Sequence, residues 1–392
     1  MKIAQVCYWG YPSPVHIGGG DVRRWQNLRS LTELGHEVHV LTCDPRKQPT
    51  PELESVASSV QTFRPDRPPK WSPRRWVARG FNPETLRLAF PDLLGLRTRT
   101  AAWLHELQPD LIWAEDASAV LLCLEHAPIV HSHHDFMFKL RPVRRPFSKK
   151  RLRRPDALSM RALQKLEVDL CRRVATTVCA SQSEADYLQE LGIDAVYLPV
   201  TGETTQRPSF DDLSSGRMFI FGNPNTAMRA TRQHLATEIW PIIERQGLSF
   251  DWHQLGKPPR PGADPSWPWV EEHCTVHGYV PDLADVLRAG DASVMPYPFD
   301  TGGRAKFAVS AGYGVVNIAY EETFRCAGEF THEQDSLAAA SPEHFVQLLD
   351  QFRSDARLRR RLAEGSRAVY ERHHTMEAQL PHYEGILRAA SK

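Results

Sequence analysis

The chain has 392 residues, of which 41% are hydrophobic, with 48 basic and 47 acidic side chains. A single hydrophobic core stops growing at roughly 250–300 residues, so this length predicts two domains. The composition is that of a globular protein rather than a disordered one, and the balanced charge excludes nucleic-acid binding through bulk electrostatic attraction.

The cysteines and the N-terminal residues indicate the compartment. The seven cysteines are scattered and include no Cys-x-x-Cys pair, which is typical of reduced thiols in the core of a cytoplasmic protein. The first residues have only a short apolar run and are predicted to form a strand, not a signal peptide. No stretch approaches the roughly 18 apolar residues that a membrane span needs. We therefore expect a cytoplasmic protein, with a peripheral position at the inner face of the membrane left open.

The first half of the chain alternates between strands and helices. A strand over Ile3 to Cys7 precedes a glycine loop, a helix over Val22 to Leu34 and a strand over Glu37 to Thr42. Further strands are predicted at Asp110 to Ala114, Pro128 to Ser132, Thr176 to Ala180 and Ala195 to Pro199. Such alternation implies a parallel sheet covered on both faces, which we assign to residues 1–200 as an N-terminal domain.

A second alternating series follows a polar, turn-rich linker at residues 201–216. Its strands are predicted at Met218 to Gly222, Phe250 to Leu255, Thr275 to Gly278, Ala292 to Pro296 and Val315 to Ala319, with helices at Thr231 to Arg245 and Leu283 to Ala289. We assign residues 217–375 to this domain and residues 376–392 to a helix that packs back on the first. The predicted fold is α/β, with two doubly wound, Rossmann-like parallel sheets facing a cleft, and ligands at the carboxyl ends of the strands.

The glycine loop Gly18-Gly19-Gly20 lies between the first strand and the first helix. Backbone N–H groups and the positive end of the helix dipole can hold a phosphate there. A tight turn that merely requires glycines explains the same residues equally well.

A cluster of three histidines follows the strand that ends near Ser132. It contains His131, His133 and His134, with Asp135 next to the last of them. A metal site, a polar loop without function and a substrate-contacting histidine are the three interpretations. We favour the last, with His134 and Asp135 as the catalytic pair and no metal, because no second ligand cluster completes a metal site.

The segment Thr301-Gly302-Gly303-Arg304-Ala305-Lys306 lies between a strand and a short helix that ends near Gly312. Glycine N–H groups, a helix N-terminus and two cations favour a diphosphate cradle over a plain turn. Arg229 and Arg232 follow the Gly222 loop and could meet the same phosphates, although a solvated helix face is the common position for each arginine taken alone.

The region from Lys139 to Arg161 is strongly basic, with ten Lys or Arg residues against the single acid Asp156. One interpretation of residues 139–161 is an exposed, solvated loop. The other is a patch that receives an anionic acceptor or an anionic membrane surface.

Taken in order, several of these segments resemble the family-4 glycosyltransferases. The matching landmarks run over nearly the whole chain and are Gly18-Gly19, Gly35-His36-Glu37-Val38, His134-Asp135, Gly222, Gly278-Tyr279-Val280-Pro281 and Ala311-Gly312-Tyr313-Gly314. The resemblance implies a GT-B fold, a nucleotide-sugar donor, an acceptor substrate, and transfer of a hexose-type sugar with retention and without a metal or other cofactor.

The resemblance also implies roles for individual residues. It places Gly18 and Gly19 near the donor phosphate and His134 on the donor sugar. It places Tyr279 at the base, and the diphosphate on the cations Arg229, Arg304 and Lys306.

One departure from the family concerns two glutamates that the family commonly carries eight positions apart. Phe299 and Phe307 have that spacing here, while Asp300 could replace the first glutamate and Glu321 or Glu322 the second. The departure keeps open a non-catalytic nucleotide-sugar-binding or scaffold protein of the same fold, and a sugar-nucleotide epimerase fits the landmarks less well.

Overall fold

The structure is a computed structural model that describes residues 1–8, 10–14, 19–43, 49–64, 95–144, 157–202, 204, 206–297, 299–300 and 303–391. The chain divides into two compact units. The first contains Met1–Phe138, Pro155–Leu198 and Gln379–Lys392, and the second contains Lys139–Arg154 and Pro199–Ala378.

Over its described residues, the first unit is a seven-stranded parallel sheet in the order β3-β2-β1-β4-β5-β6-β7. Its strands are β1 (Lys2–Cys7), β2 (Glu37–Thr42), β3 (Ser59–Thr62), β4 (Leu111–Glu115), β5 (Ile129–His133), β6 (Thr176–Cys179) and β7 (Ala195–Tyr197). Its helices are α1 (Gly19–Glu33), α2 (Pro51–Val56), α3 (Leu96–Leu107), α4 (Ala117–Cys123), α5 (Met137–Arg144), α6 (Ala157–Cys171) and α7 (Gln182–Glu190). Helix α5 continues into the second unit.

Over its described residues, the second unit is a six-stranded parallel sheet in the order β10-β9-β8-β11-β12-β13. Its strands are β8 (Met218–Phe221), β9 (Trp252–Leu255), β10 (Thr275–Gly278), β11 (Ala292–Met295), β12 (Val316–Tyr320) and β13 (Ser336–Ala339). Its helices are α8 (Thr226–His234), α9 (Trp240–Arg245), α10 (Trp267–His273), α11 (Ala305–Gly312), α12 (Glu321–Phe324), α13 (Pro342–Ser354) and α14 (Ala356–His373), and α15 (Met376–Ala390) begins there.

Both sheets have the same doubly wound topology, and the predicted fold class is confirmed. Strands such as β4 and β11 are buried along their whole length, because helices cover both faces of a parallel sheet. In each unit the strand order reverses beside a central strand, β1 in the first and β8 in the second. The loops after the central strand and its neighbours therefore meet at one edge, which is where doubly wound sheets bind ligands.

The structure corrects two predicted helices. The segment predicted as a helix over Leu283 to Ala289 forms only a 3-10 turn, Leu283–Asp285, which the Asp282 side chain caps at the Ala284 N–H. The helix predicted over Thr231 to Arg245 begins earlier, where Asn225 caps Met228 N–H, and a π-helical turn, Leu235–Ile239, interrupts it. Pro241 at the start of α9 cannot donate a backbone hydrogen bond, which accounts for the interruption.

The unit boundaries differ from the predicted ones in two places. Lys139–Arg154 groups with the second unit, and Val143 packs against a hydrophobic cluster of that unit. The predicted linker at 201–216 also belongs to the second unit. It is held there by hydrogen bonds from Gly202 N–H to the His374 carbonyl (2.9 Å) and from the Tyr370 hydroxyl to the Gly202 carbonyl (2.8 Å).

The described cysteines are all free thiols, and each is buried except for Cys274, which is half-buried. Among the described residues, no helix is long and apolar enough to cross a membrane.

The last helix, α15, completes the core of the first unit. Tyr383, Ile386 and Leu387 are buried in the cluster that also holds Trp113 of β4, and the Tyr383 ring stacks on the Trp113 indole with centroids 5.5 Å apart. The Tyr383 hydroxyl donates a 2.6 Å hydrogen bond to Asn27 Oδ1 on α1. The helix therefore contributes both apolar burial and a buried polar contact.

We expect Tyr383→Phe to destabilise the first unit by about 1–2 kcal/mol, because it leaves Asn27 Oδ1 without its donor but keeps the stacked ring. Tyr383→Ala also removes the ring and should cost about 3–5 kcal/mol. Hydrogen exchange of the amides in β4 and α15 measures both losses. Equal exchange in the wild type and the Phe variant would contradict the contribution of the hydroxyl.

Candidate active site

In the first unit, the carboxyl ends of β1, β4 and β5 bring three predicted or newly found side chains and a helix N-terminus to one edge. Glu115 ends β4, Asp116 follows it, and His134 comes directly after β5. Helix α1 begins at Gly19 on the same edge, after β1. The edge therefore combines a helix N-terminus with a carboxylate and a histidine.

His134 forms a hydrogen bond with Glu115. We call the group of side chains around this bond the carboxylate cluster; it consists of Glu115, His134, Gln5, Asn27 and Arg24. His134 Nε2 lies 2.9 Å from Glu115 Oε2. The other oxygen, Oε1, accepts from Gln5 Nε2 and from Asn27 Nδ2, each at 2.8 Å. Glu115 is wholly buried, so these donors replace the water that a carboxylate would otherwise bind.

The charge on Glu115 follows from these contacts. Burial alone would raise the pKa of its carboxyl group, but the hydrogen bonds from His134 and Asn27 and the nearby Arg24 charge lower the pKa to about 2. Glu115 is therefore ionised at neutral pH and acts only as an acceptor.

Arg24 connects the carboxylate cluster to the loops around it. Its guanidinium lies 3.1 Å from Asp21 Oδ1 and 3.5 Å from Asp116 Oδ2. Asp116 has a φ of +79° while its side chain caps α4 at the Ser118 and Ala119 N–H groups, a strained conformation of the kind found at functional sites. At Gly10, with φ +72°, an added Cβ would lie 2.2 Å from Asp21 Oδ1, so only glycine fits.

The three histidines of the sequence cluster have three different partners. His131 Nδ1 lies 3.7 Å from the Cys171 sulfur, and His133 Nε2 lies 3.3 Å from Glu184 Oε2. Both rings are almost wholly buried, whereas His134 is half-buried. Across the described parts of the chain, no group of three or more His, Cys, Asp or Glu side chains is arranged to hold a metal ion.

The loop that carries His134 and Asp135 is held by two buried glutamates. Glu184 accepts from the Phe136 N–H at 3.2 Å. Glu167 accepts from the Met137 and Phe138 N–H groups at 3.0 and 3.2 Å. These bonds place negative charge at the start of α5 and fix the backbone next to His134.

In the second unit, two glycines allow the loops after β8 and β9 to pack closely. Gly222 has φ +132° and Gly256 has φ +109°. A Cβ on Gly256 would lie 2.6 Å from the Gly222 carbonyl group, and a Cβ on Gly222 would lie 2.7 Å from Lys306 Nζ. Any side chain at 222 would therefore displace the Lys306 ammonium.

Lys306 lies in the first turn of α11, among other cations. Its Nζ contacts the Met228 thioether sulfur. Burial, together with the positive charges of Arg304 and Arg232, lowers the pKa of Lys306 to about 7. Arg304 itself donates to the Phe299 carbonyl at 3.2 Å and stands 4.7 Å from the Tyr297 ring centroid. The positively charged side chains of Arg304 and Arg232 therefore lie near the Lys306 amine.

Arg229 and Arg232 line a pocket of about 380 Å³ between the loops that follow β8 and β9. Lys257, Arg260 and Asp264 also line this pocket. Arg232 is almost fully buried and binds Asp264 Oδ2 through Nε at 2.8 Å and Nη2 at 2.6 Å, so its charge is matched within the protein. We call Arg229, Arg232, Lys257, Arg260, Arg304 and Lys306 the basic cluster.

Two other predicted positions have contrasting surroundings. Tyr279 is 51% exposed, and Lys257 Nζ lies 5.4 Å from its ring centroid. Phe307, at one of the family's glutamate positions, is buried, stacks on Phe324 at 4.8 Å and contacts Phe330. Glu322, a suggested replacement, pairs with Arg325 at 3.2 Å on the surface.

Some predicted residues lie outside the described part of the chain, namely Gly18, Thr301, Gly302 and residues 145–156 of the basic segment. The described residues Gly19, Gly20 and Gly303 flank these gaps. Sequence reasoning missed Glu115, Arg24, Lys257 and Arg260. The signal for Glu115 was available, because Glu115-Asp116 directly follows an apolar strand.

Residues 17–200 match the model of Glycosyltransferase Family 4. No curated protein sequence matches the chain.

Solved structures similar to this chain cover almost its whole length. Sucrose-phosphate synthase from Thermosynechococcus elongatus has a TM-score of 0.72 and 15% identity, covering 99% of this chain and 98% of that one. HepE from Anabaena, in complex with UDP, has a TM-score of 0.69 and 13% identity, covering 99% of this chain and 100% of its own. TarM from S. aureus, in a complex that contains UDP, has a TM-score of 0.66 and 7% identity, with both chains covered completely.

Because these solved structures share little sequence identity with the chain, they establish its fold alone. The family match covers the residues that form most of the first unit, including the whole carboxylate cluster except Gln5. The resemblance predicted from the sequence is confirmed: the chain has the GT-B glycosyltransferase fold, and its residues 17–200 match glycosyltransferase family 4.

Proposed function

We propose that this protein is a glycosyltransferase that moves a hexose-type sugar from a nucleotide diphosphate to an acceptor, with retention and without a metal. The observation that carries the proposal is the basic cluster at the carboxyl edge of the second sheet. Lys306 and Arg304 are neighbouring cations at the start of α11, and burial together with the positive charges of Arg304 and Arg232 lowers the pKa of Lys306. A diphosphate would place negative charge next to these cations.

The same cluster explains how transfer would be accelerated. Negative charge grows on the leaving diphosphate as the sugar becomes oxocarbenium-like, and fixed cations next to it stabilise that transition state. We assign this role to Arg229, Arg304 and Lys306, with Gly222 and Gly303 allowing close approach of the phosphates. For Arg232 we propose a different role: because it pairs with Asp264, it supports the wall of the pocket.

The remaining roles follow the resemblance. His134 would contact the donor sugar with Asp135 beside it, Gly19 and Gly20 would face the donor phosphate, and exposed Tyr279 would meet the base. HepE from Anabaena has been solved with UDP and with UDP-glucose, which makes UDP-sugars the first donors to test. Polysaccharides, glycolipids and small natural products are the acceptor classes we propose, and residues 139–161 remain a predicted contact for an anionic acceptor or membrane surface.

We expect the wild type to bind one class of nucleotide sugar without added metal in calorimetric titrations with UDP-, GDP-, ADP- and dTDP-sugars. Arg304→Ala should weaken that binding about tenfold or more, since it removes a charged donor to the diphosphate. The matched control is Arg353→Ala, because Arg353 is an exposed arginine of the same unit that pairs with Asp350 at 2.7 Å. It should bind like the wild type.

Two outcomes would contradict the proposed activity. If none of the donors binds, the basic cluster does not serve a nucleotide sugar. If a donor binds but neither transfer nor slow hydrolysis of its sugar is detectable, the non-catalytic nucleotide-sugar-binding protein becomes the better account, consistent with buried Phe307 at a family glutamate position.

Donor binding should also depend on pH. Lys306 has a pKa of about 7 in the ligand-free protein, and a bound diphosphate favours its charged form. Binding therefore takes up a proton above pH 7, and affinity should fall by up to about tenfold per pH unit between pH 7 and the higher pKa of the complex. Titrations of an NDP-sugar in buffers of different ionisation enthalpy measure this uptake.

Lys306→Arg is the control for the pH effect, because a guanidinium stays charged throughout this range. The variant should bind with little pH dependence and without proton uptake. Wild-type binding that proceeds without proton uptake at pH 8 would show that Lys306 does not contact the diphosphate.

A further inference from the structure

We propose that Glu115 fixes the tautomer of His134, so that the lone pair of Nδ1 faces the start of α1 and accepts a hydrogen bond from a sugar hydroxyl. This inference rests on the proposed function, since it specifies what the sugar-contacting histidine does. Glu115 acts through His134 and is a positioning residue.

The charge of Glu115 fixes the direction of the hydrogen bond between the two side chains. His134 Nε2 and Glu115 Oε2 are 2.9 Å apart, and Glu115 is wholly buried. An ionised carboxylate has no hydrogen to donate, so the hydrogen between these atoms must come from the imidazole. In the neutral ring, Nε2 therefore carries the hydrogen and Nδ1 carries the lone pair.

Two amide donors hold the Glu115 carboxylate in its orientation toward His134. Gln5 Nε2 and Asn27 Nδ2 both donate to Oε1 of Glu115. The Gln5 amide is oriented by its second bond to the Arg24 carbonyl at 3.0 Å. The Asn27 amide is oriented by donation to Ser132 Oγ at 3.0 Å and by the Tyr383 hydroxyl, which donates to Asn27 Oδ1.

These contacts form a directed series of hydrogen bonds. It runs from Tyr383 on α15 through Asn27 on α1 to Glu115 on β4, and His134 donates into the same carboxylate from the other side. Each hydrogen bond in the series has one possible donor, because the carboxylate at its end can only accept. The tautomer of His134 is thus set by groups buried behind it.

His134 Nδ1 points toward the glycines at the start of α1. A Cβ added to Gly20 would lie 3.5 Å from His134 Nδ1, so this nitrogen faces the first turn of α1. That is the glycine loop to which we assign the donor. A histidine whose exposed nitrogen is an acceptor selects a group that donates, such as a sugar hydroxyl, and does not bind a phosphate oxygen.

The decisive variant is Glu115→Gln, which keeps the shape of the side chain. Because Gln5 and Asn27 both present N–H groups to one position, the new amide should keep its oxygen there and turn its NH₂ toward His134. That NH₂ donates to Nε2, so the neutral ring must carry its hydrogen on Nδ1. The tautomer should therefore reverse.

The ring ¹⁵N shifts of ligand-free protein, labelled on histidine, measure the tautomer at a pH where these shifts no longer change. His134 is assigned by the loss of its signals in His134→Ala. We expect Nε2–H in the wild type and mainly Nδ1–H in Glu115→Gln. For transfer, kcat/KM of the variant should fall about tenfold, the value of one hydrogen bond.

Glu184→Gln is the matched control. Glu184 is also wholly buried, and its carboxylate faces the Nε2 of a different histidine, His133, at 3.3 Å. This variant should leave His134 as Nε2–H, which separates the effect of Glu115 from a general effect of removing a buried carboxylate.

Three results would overturn the inference. One is a wild-type His134 that carries its hydrogen on Nδ1, a measurement that needs no Glu115 variant to fold. Another is an unchanged tautomer in Glu115→Gln. The third is a reversed tautomer with unaltered kcat/KM, which would mean that Nδ1 does not contact the sugar. Since the tautomer is read without ligand, failure of donor binding in the wild type counts against the proposed function alone.

Discussion

A carboxylate that is closed off from water has to be matched by hydrogen-bond donors, and Glu115 imposes that requirement on the whole first unit. Its partners come from β1, from α1 and from the loop after β5, and α15 orients one of them. Each of these elements must be in place for the charge to be tolerated. The low pKa of Glu115 shows that the donors more than offset its burial.

The second unit presents the opposite electrostatic situation. Arg304, Lys306 and Arg229 lie on the edge of its sheet, and Asp264 matches Arg232. One unit therefore has a buried negative charge surrounded by hydrogen-bond donors, while the other gathers several positive side chains at one edge of its sheet. The first arrangement fixes geometry, and we propose that the second attracts an anionic ligand.

The alternation of apolar runs and helical segments was sufficient to predict both parallel sheets, because the period of a buried strand and the position of turns are local properties. Local patterns were also sufficient to point to His134, Arg304 and Lys306, which follow strands. The 3-10 turn at Leu283–Asp285 was mistaken for a helix, because apolar spacing alone does not show where a cap ends the segment.

Contacts between residues that are far apart in the chain could not be predicted from the sequence. Arg232 lies in α8, and Asp264 lies 32 positions later in the loop before α10, so nothing local indicates that the arginine is neutralised. Glu115 ends β4, and His134, 19 positions later, directly follows the adjacent strand β5, so their contact depends on the register of β4 against β5. The packing of Phe307 against Phe324 and Phe330 likewise could not be predicted from the sequence.

Helix α15 has a consequence for biosynthesis. The first unit takes its last element from Gln379–Lys392, after the second unit has been completed at Ala378. During synthesis, all residues of the second unit are therefore made before those of the first unit are complete. Until Tyr383 is made, Trp113 lacks its stacking partner and Asn27 lacks its hydrogen-bond donor. Until the ribosome has made α15, the apolar surface that Tyr383, Ile386 and Leu387 cover stays exposed, and a chaperone could bind it in that interval.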